Sequence, residues 1–148
     1  MPLFLFLPKL KTFNTKINGP MTNFEVFLNN ETVFQSDSHW LHPIIELEKA
    51  LKKLDVKPSS LKVHDKIIGR AAALLLVRLD IKNIHAHLLS QPAMKVLEYF
   101  KIKYSYDLLV DKIGCQTEDL LENEYDPETA YTLIKQRIKD NAAKNKRN

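Results

Sequence analysis

The chain has 148 residues, 45% of them hydrophobic, with a formal net charge of +4 and an isoelectric point near 9.1. That length supports one well-buried core and is too short for two typical domains. Cys115 is the only cysteine, which excludes an internal disulfide and any cysteine-rich zinc site and fits a reducing, cytoplasmic compartment.

The opening MPLFLFLPKLK has only the five apolar residues Leu3 to Leu7 between two prolines, too short for a signal-peptide core or a membrane span. Residues 1–21 read as a poorly structured extension, residues 22–139 as a single domain and residues 140–148 as a basic flexible tail. The basic residues Lys135, Arg137, Lys139, Lys144, Lys146 and Arg147 face only Asp140 in the last stretch, so the remainder is close to neutral. No basic stripe interleaved with aromatics is visible, which argues against a nucleic-acid partner.

In NFEVFL, Phe24, Val26 and Leu28 alternate with Glu25 and Phe27, the pattern of a strand. Asn29-Asn30 is a turn signal, and Thr32 to Gln35 completes a hairpin. Ser36, Asp37 and Ser38 are helix-capping types. Leu41, Ile44, Ile45, Leu47, Leu51 and Leu54 follow at helical spacing, with Pro43 tolerable in the first turn.

The centre of the chain is LKVHDKIIGRAAALLLVRL, Leu61 to Leu79. It reads as a short strand through Val63, a polar corner at His64-Asp65-Lys66, and a helix beginning just after Asp65 that is apolar almost all round, hence packed on more than one side. Asn83 to Leu88 is the next strand, Ser90-Gln91-Pro92 the start of the next helix, and Ile102 to Tyr106 another strand. Strands separated by such helices imply right-handed parallel crossovers. Thr117 caps a short helix, and Asp126-Pro127-Glu128 is a strong start for a last one.

This order resembles the core of the cytidine-deaminase-like superfold, and within it a family of uncharacterised prokaryotic domains of unknown function. The residues carrying the resemblance are Ser36, the run His64 to Ala73, Leu88 to Ala93, and Gly114-Cys115 with Glu118, together spanning Phe24 to Leu121. Gln116 stands where that family has a proline after the cysteine. The resemblance implies a three-layer α/β/α domain with an N-terminal β-hairpin, parallel strands and crossover helices. Zinc deaminases place a His or Cys followed by a Glu at one helix start and a Pro-Cys-x-x-Cys at the next. Here those places hold Ser38-His39-Trp40 and Asp65-Lys66-Ile67-Ile68-Gly69, so deamination by the usual zinc route has no ligand set, and no metal or other cofactor is expected.

Ligands of open α/β sheets sit at strand ends near helix N-termini, which singles out the polar corner. Asp65 is either an N-cap or a catalytic or ligand-binding carboxylate. Lys66 and Arg70, one turn apart at a helix start, suit a small anion such as phosphate or carboxylate, or else are solvated surface charges. Gly69 lets a ligand or another backbone approach closely. Ser90 reads first as an N-cap, and Glu118 as a cap or pocket residue. Cys115 reads as a buried thiol or as a nucleophile or redox group. His39 with His42, and His85 with His87, share faces, too little for a metal site. The expectation is a zinc-less deaminase-fold domain binding a small anionic, nucleotide-like ligand through Asp65, Lys66, Gly69, Arg70, Ser90 and Glu118. The alternatives are a non-zinc enzyme using Cys115 as nucleophile or redox thiol and a protein-interaction module that engages a partner through the sheet edge or the basic tail, a second copy in a homodimer being one such partner.

Overall fold

Phe24–Leu28 (β1) and Glu31–Ser36 (β2) form the expected hairpin in a computed structural model that describes residues 22–114 and 116–147. Asn29 and Asn30 turn it with φ of 50° and 69°, the left-handed conformation that asparagine tolerates best after glycine. His42–Leu51 (α1) follows, shorter than its apolar pattern suggested, with Pro43 in its first turn. Its N-cap is Leu41, which lacks a capping side chain. The serines expected to cap it instead hydrogen-bond Glu46 within the helix, Ser36 Oγ at 2.5 Å and Ser38 Oγ at 2.6 Å.

The central stretch departs from expectation. Strand β3 is Lys62–Ile68 and runs straight through His64, Asp65 and Lys66, and the helix Arg70–Arg78 (α2) starts after Gly69. Charged residues persist in this inner strand because His64 belongs to a half-exposed face while Asp65 and Lys66 line a cavity. Helix α2 is buried from Arg70 through Leu76, as the all-round apolar run requires. Asn83–Ser90 (β4) leads directly into Gln91–Tyr99 (α3), and the Ser90 hydroxyl accepts a hydrogen bond from the Ala93 N–H at 3.1 Å. Lys103–Val110 (β5) joins two apolar pieces of sequence in one strand, and Gln116–Leu120 (α4) is a single turn and a half. Pro127–Arg147 (α5) continues through the segment expected to be a loose tail, where Ala142, Ala143 and Lys144 are strong helix formers.

The sheet order is β2-β1-β3-β4-β5, antiparallel across β2, β1 and β3 and parallel across β3, β4 and β5. Helix α2 touches α1, α3, α4 and α5, so the described helices form one connected layer. One buried cluster joins the sheet residues Phe24, Val26, Val63, Ile84 and Ala86 to Leu74, Leu75, Leu76 and Leu97 of the helices. The α/β class is as expected. The face away from that cluster presents Lys62, His64, His85 and Ser105 among the described residues.

Inside-outside alternation slips by one residue near the ends of the parallel strands. Val63 and Ile84 are buried, and so are Ile68 and Leu89 further along, although an even spacing would be needed to keep one face. The ladder omits the positions of Lys66, His87 and Asp107 while the register on either side is unchanged. The slip therefore occurs at the same level in three adjacent strands, where β3 meets the cavity.

Candidate functional site

A cavity of about 290 Å³ opens between the start of α1, the end of β3 and the start of α2, near the lower end of the usual range of roughly 300–1,000 Å³ for small-molecule sites. Four of the expected residues, Asp65, Lys66, Gly69 and Glu118, line it together. Trp40, Leu41, Pro43, Ile67 and Ile113 supply most of its apolar wall.

Asp65 is largely buried, and desolvation pushes its carboxyl up to about 7, against hydrogen bonds from the Ile67 and Lys66 backbone N–H groups that pull it down. The group therefore exchanges its proton near neutral pH. The Lys66 backbone N–H donates to Asn23 O at 3.1 Å. Its side chain is exposed at the rim.

Glu118 reaches across from α4 to the N-terminus of α2. Its Oε2 accepts from the Arg70 N–H at 2.6 Å and its Oε1 from the Ile113 N–H at 3.2 Å, in a position only 2% exposed. A carboxylate there complements the positive end of the helix and satisfies an otherwise orphaned donor. Gly69 is the residue that permits it, since a Cβ at that position would stand 2.9 Å from Glu118 Oε2 and 3.2 Å from Ile113 Cδ1. The place a phosphate would take at this helix start is thus occupied by the protein's own acid.

Two expected ligand residues are elsewhere. Arg70 is buried, its guanidinium donating to Glu124 O at 2.6 and 3.1 Å and to Pro92 O at 3.2 Å, and lying 4.5 Å over the Tyr125 ring. Because the helix starts at Arg70 and Lys66 is on the strand, the two cations do not share a helical face. The Ser90 hydroxyl is fully buried and holds the α3 cap, away from the cavity lining. Cys115 lies outside the described residues.

Trp40 was not singled out by sequence. It lines the cavity mouth with φ of 61°, a left-handed conformation that costs a bulky residue of order 1–3 kcal/mol. The preceding segment is pinned from both sides. The Asn23 side-chain amide donates to Asp37 O at 2.9 Å and Ser38 O at 3.2 Å, and Glu46 takes the two serine hydroxyls, which hold its carboxyl below the usual range. Nothing in the order Ser38-His39-Trp40 reveals that backbone; only the presence of a lone tryptophan beside capping residues hints at it.

A second cavity, about 200 Å³, opens on the polar face of the sheet and is lined by Glu25, His64, His85, His87 and Asp107 among others. Asp107 Oδ2 receives His87 Nδ1 at 3.0 Å and His85 Nε2 at 3.3 Å, which keep its carboxyl below the ordinary range, and His85 Nδ1 meets Ser105 Oγ at 2.7 Å. Among the described residues no group of three or more His, Cys, Asp or Glu side chains is arranged to hold a metal ion. Nor does any described helix have the length and apolarity to cross a membrane.

Residues 22–138 match the family described as TM1506, domain of unknown function (DUF1893). Among solved structures, a DUF1893 family protein (TM1506) from Thermotoga maritima is similar at 26% identity and a TM-score of 0.70, over 93% of this chain and 92% of that one. No curated protein matches the sequence.

Proposed function

The chain belongs to the DUF1893 family of domains of unknown function, and from that premise we propose that it is a small-molecule-binding protein whose cavity takes a planar, nucleobase-like ligand presenting N–H donors. The observation that carries this is the pairing of Asp65 with the strained, half-exposed Trp40 around one apolar cavity. An aromatic face offers stacking, and a carboxyl that gains and loses its proton near neutrality can accept from or donate to a ring edge. Two acids against a single lysine disfavour the phosphate-like ligand that sequence suggested, and the Glu118 cap excludes an anion from the α2 start. Binding of neutral nucleobases and nucleosides by ligand-observed NMR tests the reading, with inorganic phosphate as the comparison. Binding that Asp65→Ala abolishes supports it; phosphate binding without any nucleobase response sinks it.

The sheet order and the convergence of Ser38-His39-Trp40 with Asp65 to Gly69 on one cavity support a deaminase-like domain in which apolar and acidic residues stand where zinc ligands would. Stoichiometric zinc in protein purified without added metal would contradict that. A cytoplasmic location, resting on the single cysteine, is part of the same proposal.

A second reading, an enzyme without zinc, is favoured by one observation: a carboxyl near 7 inside a cleft is suited to general acid–base work. Conversion of a bound nucleoside that follows one ionisation near pH 7, and disappears in Asp65→Asn, would establish it; turnover unaffected by that change would remove it.

A further inference from the structure

The two edges of the sheet are built differently. β2 is six residues long and its register with β1 is irregular between Val26 and Phe27, which blunts that edge. β5 is eight residues, KYSYDLLV, without proline, paired in unchanged register on either side of Asp107 and, among the described residues, with β4 alone. Five of its residues are exposed, including Tyr106 at 41% and Leu108 at 52%. A long edge with large apolar side chains is a template for another strand.

We propose that β5 pairs antiparallel with β5 of a second copy about a two-fold axis at Ser105, making one continuous sheet across a homodimer. The strand is self-complementary in that register. Lys103 faces the partner's Asp107 at both ends, Tyr104 faces the partner's Tyr106, and Ser105 meets its own symmetry mate. Lys103 has no carboxylate in ion-pair range among the described residues, whereas the His85 and His87 contacts hold Asp107 on the same sheet face as Lys103. Sliding the pairing by one residue sets Lys103 against Tyr106 or Leu108 and leaves the lysine without a carboxylate opposite it, so its charge selects one register. An isologous pairing of this kind closes on itself and does not propagate into a fibre.

The test is sedimentation equilibrium of the full chain, with circular dichroism as the check on folding. The expected result is a dimer at concentrations up to about 100 µM that Lys103→Glu weakens roughly tenfold or more through like-charge opposition. The Lys103→Glu, Asp107→Lys double variant, which restores opposite charges in reversed order, should regain most of the association. A monomeric wild type over that range, a dimer indifferent to Lys103→Glu, or a double variant no better than the single one would each overturn the proposal.

Discussion

Glu118 Oε2 stands 2.6 Å from the backbone nitrogen of Arg70, a residue 48 positions earlier, and supplies from α4 the cap that Gly69 cannot. One acid thereby seals the N-terminus of the most buried helix and forms part of the cavity wall. Glu118→Ala should lower stability by about 2–3 kcal/mol, because two donors, the Arg70 and Ile113 N–H groups, lose a charged acceptor in a buried place. Glu118→Gln should lose roughly half as much. Urea unfolding measures both, and an unchanged midpoint for the alanine variant would show that the contact carries no weight.

Arg70 is a structural cation. Its guanidinium bridges the Glu124 and Pro92 carbonyls beneath Tyr125, an arrangement that needs the planar fork. Arg70→Lys should therefore cost about 2 kcal/mol, while any ligand bound in the Asp65 cavity is held as before. A variant of native stability but lost ligand response would reverse this assignment.

Asp65 gives stability a pH dependence of known sign. Its folded pKa of about 7 exceeds the model-peptide value of 3.8, so between those values the folded state holds more protons than the unfolded one. The contribution is full below pH ~4 and is lost as pH rises through 7. Asp65→Asn should raise the melting temperature at pH 8 by several degrees and change it little at pH 4. Equal shifts at both values would mean that the carboxyl is not desolvated.

His64 acts in the opposite sense. Burial, with the neighbouring His85 and Lys62, lowers its pKa to about 4 from 6.5, so the unfolded state takes up the proton first as pH falls. Its contribution is full above pH ~6.5 and fades toward 4. NMR titration should find one imidazole still neutral at pH 5, and His64→Phe should reduce acid sensitivity in that window. A His64 ring that titrates near 6.5 would contradict the burial argument.

Trp40 separates stability from binding. Trp40→Gly removes the strain at φ of 61° and should leave the fold as stable or up to about 1 kcal/mol more so, while weakening a stacked ligand at least tenfold. Unaltered ligand affinity in this variant would remove the tryptophan from the site.

Much of this architecture was legible. Alternation in NFEVFL and the Asn29-Asn30 pair located the hairpin, and Ser90 before Gln91-Pro92 located α3 to the residue. The start of α2 lies four residues beyond the point the sequence indicates, since three polar residues in succession look like a corner. In an inner strand they survive only because one lies on a polar face and two border a cavity, which is a tertiary fact. Arg70 shows the same limit from the other side: its charge suggested solvent or an anion, yet it is matched by carbonyls that are distant in sequence. Glu118, flagged only as a cap or pocket residue, caps a helix other than its own, and no local pattern records that.

The cavity wall contributed by Ile113, Thr117 and Glu118 comes after the last strand. A nascent chain that has emerged as far as Val110 carries the five described strands of the sheet but lacks the Glu118 cap on α2 and the recess wall that follows β5. Assembly of the scaffold can thus precede completion of the recess, whose wall closes only once the chain has emerged through Glu118.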